Sequence, residues 1–327
     1  MWFKNLALFE FTSPFDVDVE TVEARLNDYR FVPCSSHAPT SMGWVAPAGG
    51  EAPLVHAAQG FVMVAFQIQE KIVPAGVIKE MLDEKVEEIE LRETRKVKKK
   101  EKDALKEEIY QSLLPRAFTK NSIIYAYIDT IKGWLVINAS SAKKAEVLTV
   151  NLRKALGSLK IRIPEVLPVS MLLTQWLKTN EYPVDFSIED QCVLQDNQDA
   201  SGLIRCQRQN LFTDDIQSLI DSGREVIQLA LSWQEKVSFV LNDEFMIKSL
   251  KFLELIQDQV NDIVSETKAE RFDADFAIMT ETLREFIDGL MQVFSKENRV
   301  EKTDEVTQQE DDALNNADNN TAVSSSI

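Results

Sequence analysis

The chain has 327 residues, 44% of them apolar, which is enough for about two domains with cores of their own. No apolar run approaches the roughly 20 residues of a membrane-spanning helix, and the opening Met-Trp-Phe-Lys has none of the layout of a signal peptide. A net charge of −17 excludes a uniformly basic surface, and three cysteines (Cys34, Cys192, Cys206) without a C-x-x-C pair fit a reducing cytoplasm.

In chain order, the alternation of residues 2–12 predicts a strand. Asp18–Tyr29 predicts a short helix with Val19, Val22, Leu26 and Tyr29 on one face. Cys34–Pro53, rich in Ser, Pro and Gly, reads as loop with an extended piece at Met42–Ala46. Phe61–Lys71 is a strand, and Pro74 separates it from the long charged stretch beyond.

That organising stretch is Ala75–Phe118, with no Gly after Gly76 and no Pro before Pro115. Ile78, Leu82, Val86 and Ile89 recur at helical spacing, and so do Leu105, Ile109 and Leu113. Between Arg92 and Lys102 the only sizeable apolar side chain is Val97. Arg92, Arg95, Lys96, Lys98, Lys99, Lys100 and Lys102 face only Glu93 and Glu101 in that interval, a net of +5. A helix polar all round cannot be packed there. The expectation is a projecting helical arm, roughly 60 Å long if unbroken, or two helices with a break near Lys100–Asp103.

Ser122–Asp129 and Gly133–Ala139 predict a hairpin, and Ser141–Leu156 a helix ended by Gly157. Ile161–Pro168 reads as a linker and Met171–Thr179 as a helix. Asp185–Leu194 and Gly202–Gln209 read as strands, and Thr213 caps a helix packed through Ile216, Leu219 and Ile220. Glu225–Trp233, Lys236–Leu241 and Phe245–Phe252 are strands, with a tight turn at Gln234–Glu235. Leu253–Val264 and Asp275–Phe294 are helices, with Asp273 and Asp275 near a helix start where capping explains them. From Glu297 the chain is polar and aperiodic and reads as disordered; residues 301–327 carry −6.

The fold class is therefore α+β. Residues 1–74 and 119–160 form a first unit interrupted by the arm at 75–118. Residues 161–296 form a second, and 297–327 an acidic tail.

Polyanions respond to potential within about a Debye length, roughly 8–10 Å at cellular salt, so a concentrated basic segment can hold phosphate on an acidic protein. Five lysines and two arginines favour contact with the backbone of a nucleic acid over base reading. The plainer reading is a solvated helix face. Lys143 and Lys144 begin a helix, where cations are disfavoured unless an anion lies outside.

Catalysis has little to work with. Cys34 and His37 permit a dyad in principle, but a loop cysteine beside an exposed histidine is the simpler account. There is no phosphate-binding Gly-Lys-Ser/Thr loop and no zinc-ligand spacing, so neither a cofactor nor a metal is expected. The other non-enzymatic reading is a protein-interaction module whose arm pairs with a partner helix.

Several short blocks, in order, carry a resemblance: WFKNL at the N-terminus, MGWV at 42–45, KIVP at 71–74, SLLPRAF at 112–118, SAKKAE at 141–146, LALSWQ at 229–234 and ERFDADF at 270–276. Together they resemble the bacterial recombination-associated RdgC family. The resemblance implies a cytoplasmic, nucleoid-associated, non-enzymatic protein that binds double-stranded DNA without sequence preference. It implies a ring-shaped homodimer that encircles DNA and limits RecA-dependent recombination.

It also implies DNA contacts from the arm (Arg92, Arg95, Lys96, Lys98, Lys99, Lys100, Lys102), from Arg116 and the neighbouring Lys120, and from Arg208 and Gln209. Phe118 and Arg116 are implied at the dimer interface. By itself Phe118 reads as ordinary core, although Pro115, Arg116 and Lys120 point to a surface tip. Lys100 stands where the family pattern has Thr and adds a charge.

Overall fold

A computed structural model describes residues 1–197, 202–263, 265 and 267–296. The protein is a mixed α+β fold with antiparallel sheets and, among the described residues, eight α-helices. The predicted acidic tail lies outside the described residues.

β1 (Ala7–Phe11) takes the back half of the expected first strand. α1 (Val19–Asn27) starts where Asp18 Oδ1 accepts from Thr21 N at 2.7 Å, and it buries Val22 and Leu26. β2 (Thr40–Val45) and β3 (Val55–Ala58) both pair with β4 (Phe61–Ile72), β3 along Phe61–Val64 and β2 along Ala65–Glu70. Gly43 in the MGWV block is required by a close approach: a Cβ there would stand 2.5 Å from the Cα of Phe31.

The charged stretch is two helices, α2 (Ala75–Glu93) and α3 (Lys99–Leu113). The break lies at Thr94–Lys98, earlier than the expected Lys100–Asp103. Thr94 closes α2 in the left-handed region (φ 51°), and Lys98 is extended and caps α3. A single 3-10 turn, Leu114–Arg116, leads into β5 (Phe118–Asp129), which begins four residues before the predicted strand.

β6 (Trp134–Ile137) follows the turn in which Gly133 N donates to Asp129 O at 2.9 Å. α4 (Ala142–Leu156) ends at Gly157, which is left-handed as its place past the helix requires. The expected linker holds a short strand, β7 (Ile161–Arg162), before α5 (Val169–Thr179). β8 (Phe186–Asp196) and β9 (Leu203–Gln207) are followed by α6 (Asp214–Asp221). β10 (Arg224–Trp233), β11 (Val237–Asn242) and β12 (Ile247–Phe252) then form a meander. Gln234 and Glu235 both have positive φ in the three-residue connection, 234–236, that joins β10 to β11.

α7 (Glu254–Asn261) precedes α8 (Lys268–Phe294). Helix α8 starts seven residues before its expected beginning, because Thr267 and Glu270 form a reciprocal capping box. Asp273 and Asp275 therefore lie inside the helix, and Asp275 accepts from the N-terminal ammonium at 3.3 Å and pairs with Arg271 at 3.2 Å.

The chain divides into two compact units. One comprises Phe15–Ile128 and Glu146–Leu159, with β4 between β2 and β5. Its core gathers Trp44, Phe61, Met63, Phe66 and Tyr127. The other comprises Met1–Pro14, Asp129–Ala145 and the chain from Lys160 on. It holds β1 between β6 and β7, and a five-stranded sheet in the order β12-β11-β10-β8-β9. Phe286 of α8 meets Trp233 and Phe239 of that sheet, and Gly289 lets the helix lie against Trp233.

The sequence places residues 1–14 and 129–145 in the first unit instead. The physical reason for the difference is that Leu6 and Ile247 exchange backbone hydrogen bonds of 2.8 and 3.1 Å, and Leu250 N donates to Lys4 O.

Candidate nucleic-acid interface

The far end of the α2–α3 hairpin is assembled from short-range charge. Val97, the lone apolar residue of the basic run, is 7% exposed and plugs the turn. Glu90 holds it there: one carboxylate oxygen accepts from Val97 N at 3.0 Å and the other from Lys96 Nζ at 2.7 Å. Lys96 and the Val97 amide together hold the Glu90 carboxyl below the usual range. Arg95 makes a two-pronged contact with Glu101 (2.8 Å for each bond) and also reaches Glu93. Its guanidinium holds the carboxyls of Glu93 and Glu101 low, with Arg92 assisting at Glu93.

The seven predicted cations thus fall into two groups. Arg92, Arg95 and Lys96 are ion-paired within the tip. Lys98, Lys99, Lys100 and Lys102 are exposed and form no ion pair among the described residues. Lys98 is the N-cap of α3 and Lys99, Lys100 and Lys102 follow in its first turn, where the helix's own partial positive charge adds to theirs. Clustering four cations there opposes helix stability and favours an external anion. Glu90, which organises the tip from outside the basic run, is not evident from the sequence; only its six-residue offset from Lys96 hints at it.

Arg116, Phe118 and Lys120 lie at the other end of α3. The fifteen residues of α3 place them roughly 20 Å from the tip lysines along the helix axis, so the structure does not gather all predicted residues in one cluster. Phe118 is 85% exposed, which overturns its reading as core. The first four residues of β5 are all exposed, and Phe118 and Lys120 share a strand face.

Arg208 and Gln209 belong to the other unit. They lie in a bend after β9, outside the strand predicted to contain them, because Arg208 turns into the left-handed region (φ 55°). Both are exposed, beside Asp190 and Phe212 on a shallow surface.

The Cys34 thiol donates to Gln69 O at 3.5 Å, and Cys34 N donates to Gln69 Oε1 at 2.7 Å. Its neighbours tie down a loop. Among the described residues no three His, Cys, Asp or Glu side chains converge as metal ligands, and no helix is long and apolar enough to cross a membrane.

The fold and this surface define a class: an α+β protein that holds a cluster of unpaired lysines at the end of a helical hairpin. A family model described as "Putative exonuclease, RdgC" matches residues 1–297, and the chain belongs to the RdgC family. Recombination-associated protein RdgC of Aeromonas hydrophila subsp. hydrophila is 43% identical over 302 residues, 91% of this chain and 99% of that protein. The proteins of the same name from Psychromonas ingrahamii and Pseudomonas aeruginosa are 41% and 40% identical, each over 300 residues and 91% of this chain. The two descriptions point in different directions, one to a nuclease and the other to recombination.

Proposed function

We propose that this protein binds double-stranded DNA without sequence preference, encircles it as a ring-shaped homodimer, and thereby limits RecA-dependent recombination at the nucleoid. The observation that carries the reading is the group of four lysines at the start of α3 that form no direct ion pair among the described residues. Duplex DNA presents one negative charge per about 1.7 Å of axis, and lysine neutralises phosphate whatever the base sequence. The names of the relatives, which associate them with recombination, support the same reading.

Arg116 and Lys120 in the unit that holds α3, and Arg208 and Gln209 in the other, are further proposed DNA contacts. Phe118, with Arg116 beside it, supplies the proposed dimer contact, since a phenyl ring left in water is stabilised by a second copy covering it. Acidity elsewhere would confine DNA to the basic surface. Binding without cleavage is part of this proposal: the role assigned to the lysines and arginines is to neutralise phosphate.

A mobility-shift titration on random duplex tests this reading; a shift that weakens steeply with salt supports it. Absence of any shift at low salt would favour a protein-interaction module, for which Leu91, 76% exposed on α2, is the specific observation. Degradation of end-labelled duplex with magnesium or manganese present would favour the nuclease description.

A further inference from the structure

We propose that Cys192 and Cys206 form a thiol–disulfide exchange site, whose substrate is a small-molecule disulfide and whose product is a cross-strand disulfide joining β9 to β8. The two cysteines are direct partners in the antiparallel β8–β9 register. Residues so placed have Cα atoms about 4.5–5.5 Å apart, inside the roughly 4.4–6.8 Å that a disulfide spans. Both are buried and both are free, and their direct pairing puts the two side chains on the same face of the sheet. Two thiols within bonding reach, fixed by strand register, need little motion to be oxidised.

Access is through the edge of the sheet. Among the described residues β9 pairs with β8 alone, and Leu203, Arg205 and Gln207 on it are exposed. An edge strand of five residues opens at lower free energy than the sheet interior. While it is closed the pair is inert: burial, with Cys206 alongside, pushes the Cys192 thiol up to about 12.

On opening, Cys206 gives its proton to solvent, and the thiolate attacks one sulfur of a small-molecule disulfide. That S–S bond breaks, one small thiolate leaves, and a mixed disulfide remains on Cys206. Cys192 then loses its proton and attacks the Cys206 sulfur, forming the cross-strand bond and expelling the second small thiolate. Two protein thiols are oxidised, one small disulfide is reduced to two thiols, and the two protons end on those thiols. Arg208 follows Cys206 by two residues, so the new bond fixes the strand from which its bend departs.

The test is incubation of the full chain with glutathione disulfide, followed by acid quench, alkylation and peptide mass analysis. It does not depend on DNA. The wild-type chain and its Cys34→Ser variant should each lose two hydrogens and yield a linked Cys192–Cys206 peptide pair. Dithiothreitol should release that pair, and amides of β9 should exchange more slowly in the oxidised chain. Recovery of both cysteines as free thiols, after a time in which the β9 amides have exchanged, would overturn the proposal. So would a stable glutathione adduct on one of them, or a bond involving Cys34.

Discussion

Replacing Lys98, Lys99, Lys100 and Lys102 together by Gln removes the four tip cations that form no direct ion pair among the described residues, although Lys98 and Lys102 lie within electrostatic reach of Glu101 and Glu90. Removing one phosphate contact lowers the log–log dependence of affinity on salt by about 0.9, so removing four lowers it by about 3.6. Across a fourfold rise in salt, the wild-type chain should then lose about 10²-fold more affinity than the variant. The loss should be the same for any duplex sequence. Helix α3 should be no less stable, because the substitutions remove cations from a helix N-terminus. Arg92, Arg95 and Lys96 provide the internal comparison. They already have carboxylate partners, so replacing those three by Gln should change the slope by less per residue. Titrations by fluorescence anisotropy at four or five salt concentrations read both slopes. An unchanged slope in the quadruple variant, or a per-residue change equal to that of the paired set, would refute the reasoning.

Phe118→Ala should abolish self-association and weaken DNA binding while leaving the single chain folded, because the ring is 85% exposed; a melting temperature that falls below that of the wild-type chain even at a concentration where both are monomeric would return Phe118 to the core. Asp129→Ala should destabilise the fold by about 2–4 kcal/mol, since it leaves the largely buried Arg284 guanidinium, now 2.7 Å from the carboxylate, with only the half-exposed Glu281 as a partner. Denaturant melts read this, and a change below about 1 kcal/mol would contradict it. Thr267→Ala should cost about 1 kcal/mol by opening the capping box of α8, detectable in the same melts. The carboxyls of Glu90, Glu93 and Glu101 are held low, so their ion pairs are intact above the ordinary Glu value of about 4.3 and fail as pH falls through the depressed values. Exchange protection of the Val97 amide should therefore persist through the ordinary glutamate range and disappear only in stronger acid; loss already at the ordinary glutamate value would contradict the Glu90 clamp.

Much of the fold is legible in the sequence where one signal dominates. The run Phe61–Phe66 is buried throughout, as its unbroken apolar character implies, and Gly157 ends α4 where a left-handed residue is needed. β3 is hidden because Val55–Ala58 is short and its pattern weak; pairing with β4 supplies what propensity does not. The start of α8 is obscured by charge in Lys268–Asp273, although Thr267-x-x-Glu270 is a readable capping signal.

The site is legible as a basic run but not as two classes of cation. That division depends on Thr94 turning left-handed and folding Glu90 and Glu101 against their partners, three-dimensional neighbours that no linear count supplies. Phe118 is the inverse case. Its residue type argues for burial, and only the strand end protruding at the foot of α3 leaves it in solvent.

The central claim is that two copies of this chain together hold one duplex against their lysine tips. Sedimentation of the full chain, alone and with a duplex of about 30 base pairs, or three helical turns, tests it most directly. The account predicts a dimer that gains the mass of a single duplex and releases it as salt is raised. A monomer whose mass does not change when the duplex is added would contradict it.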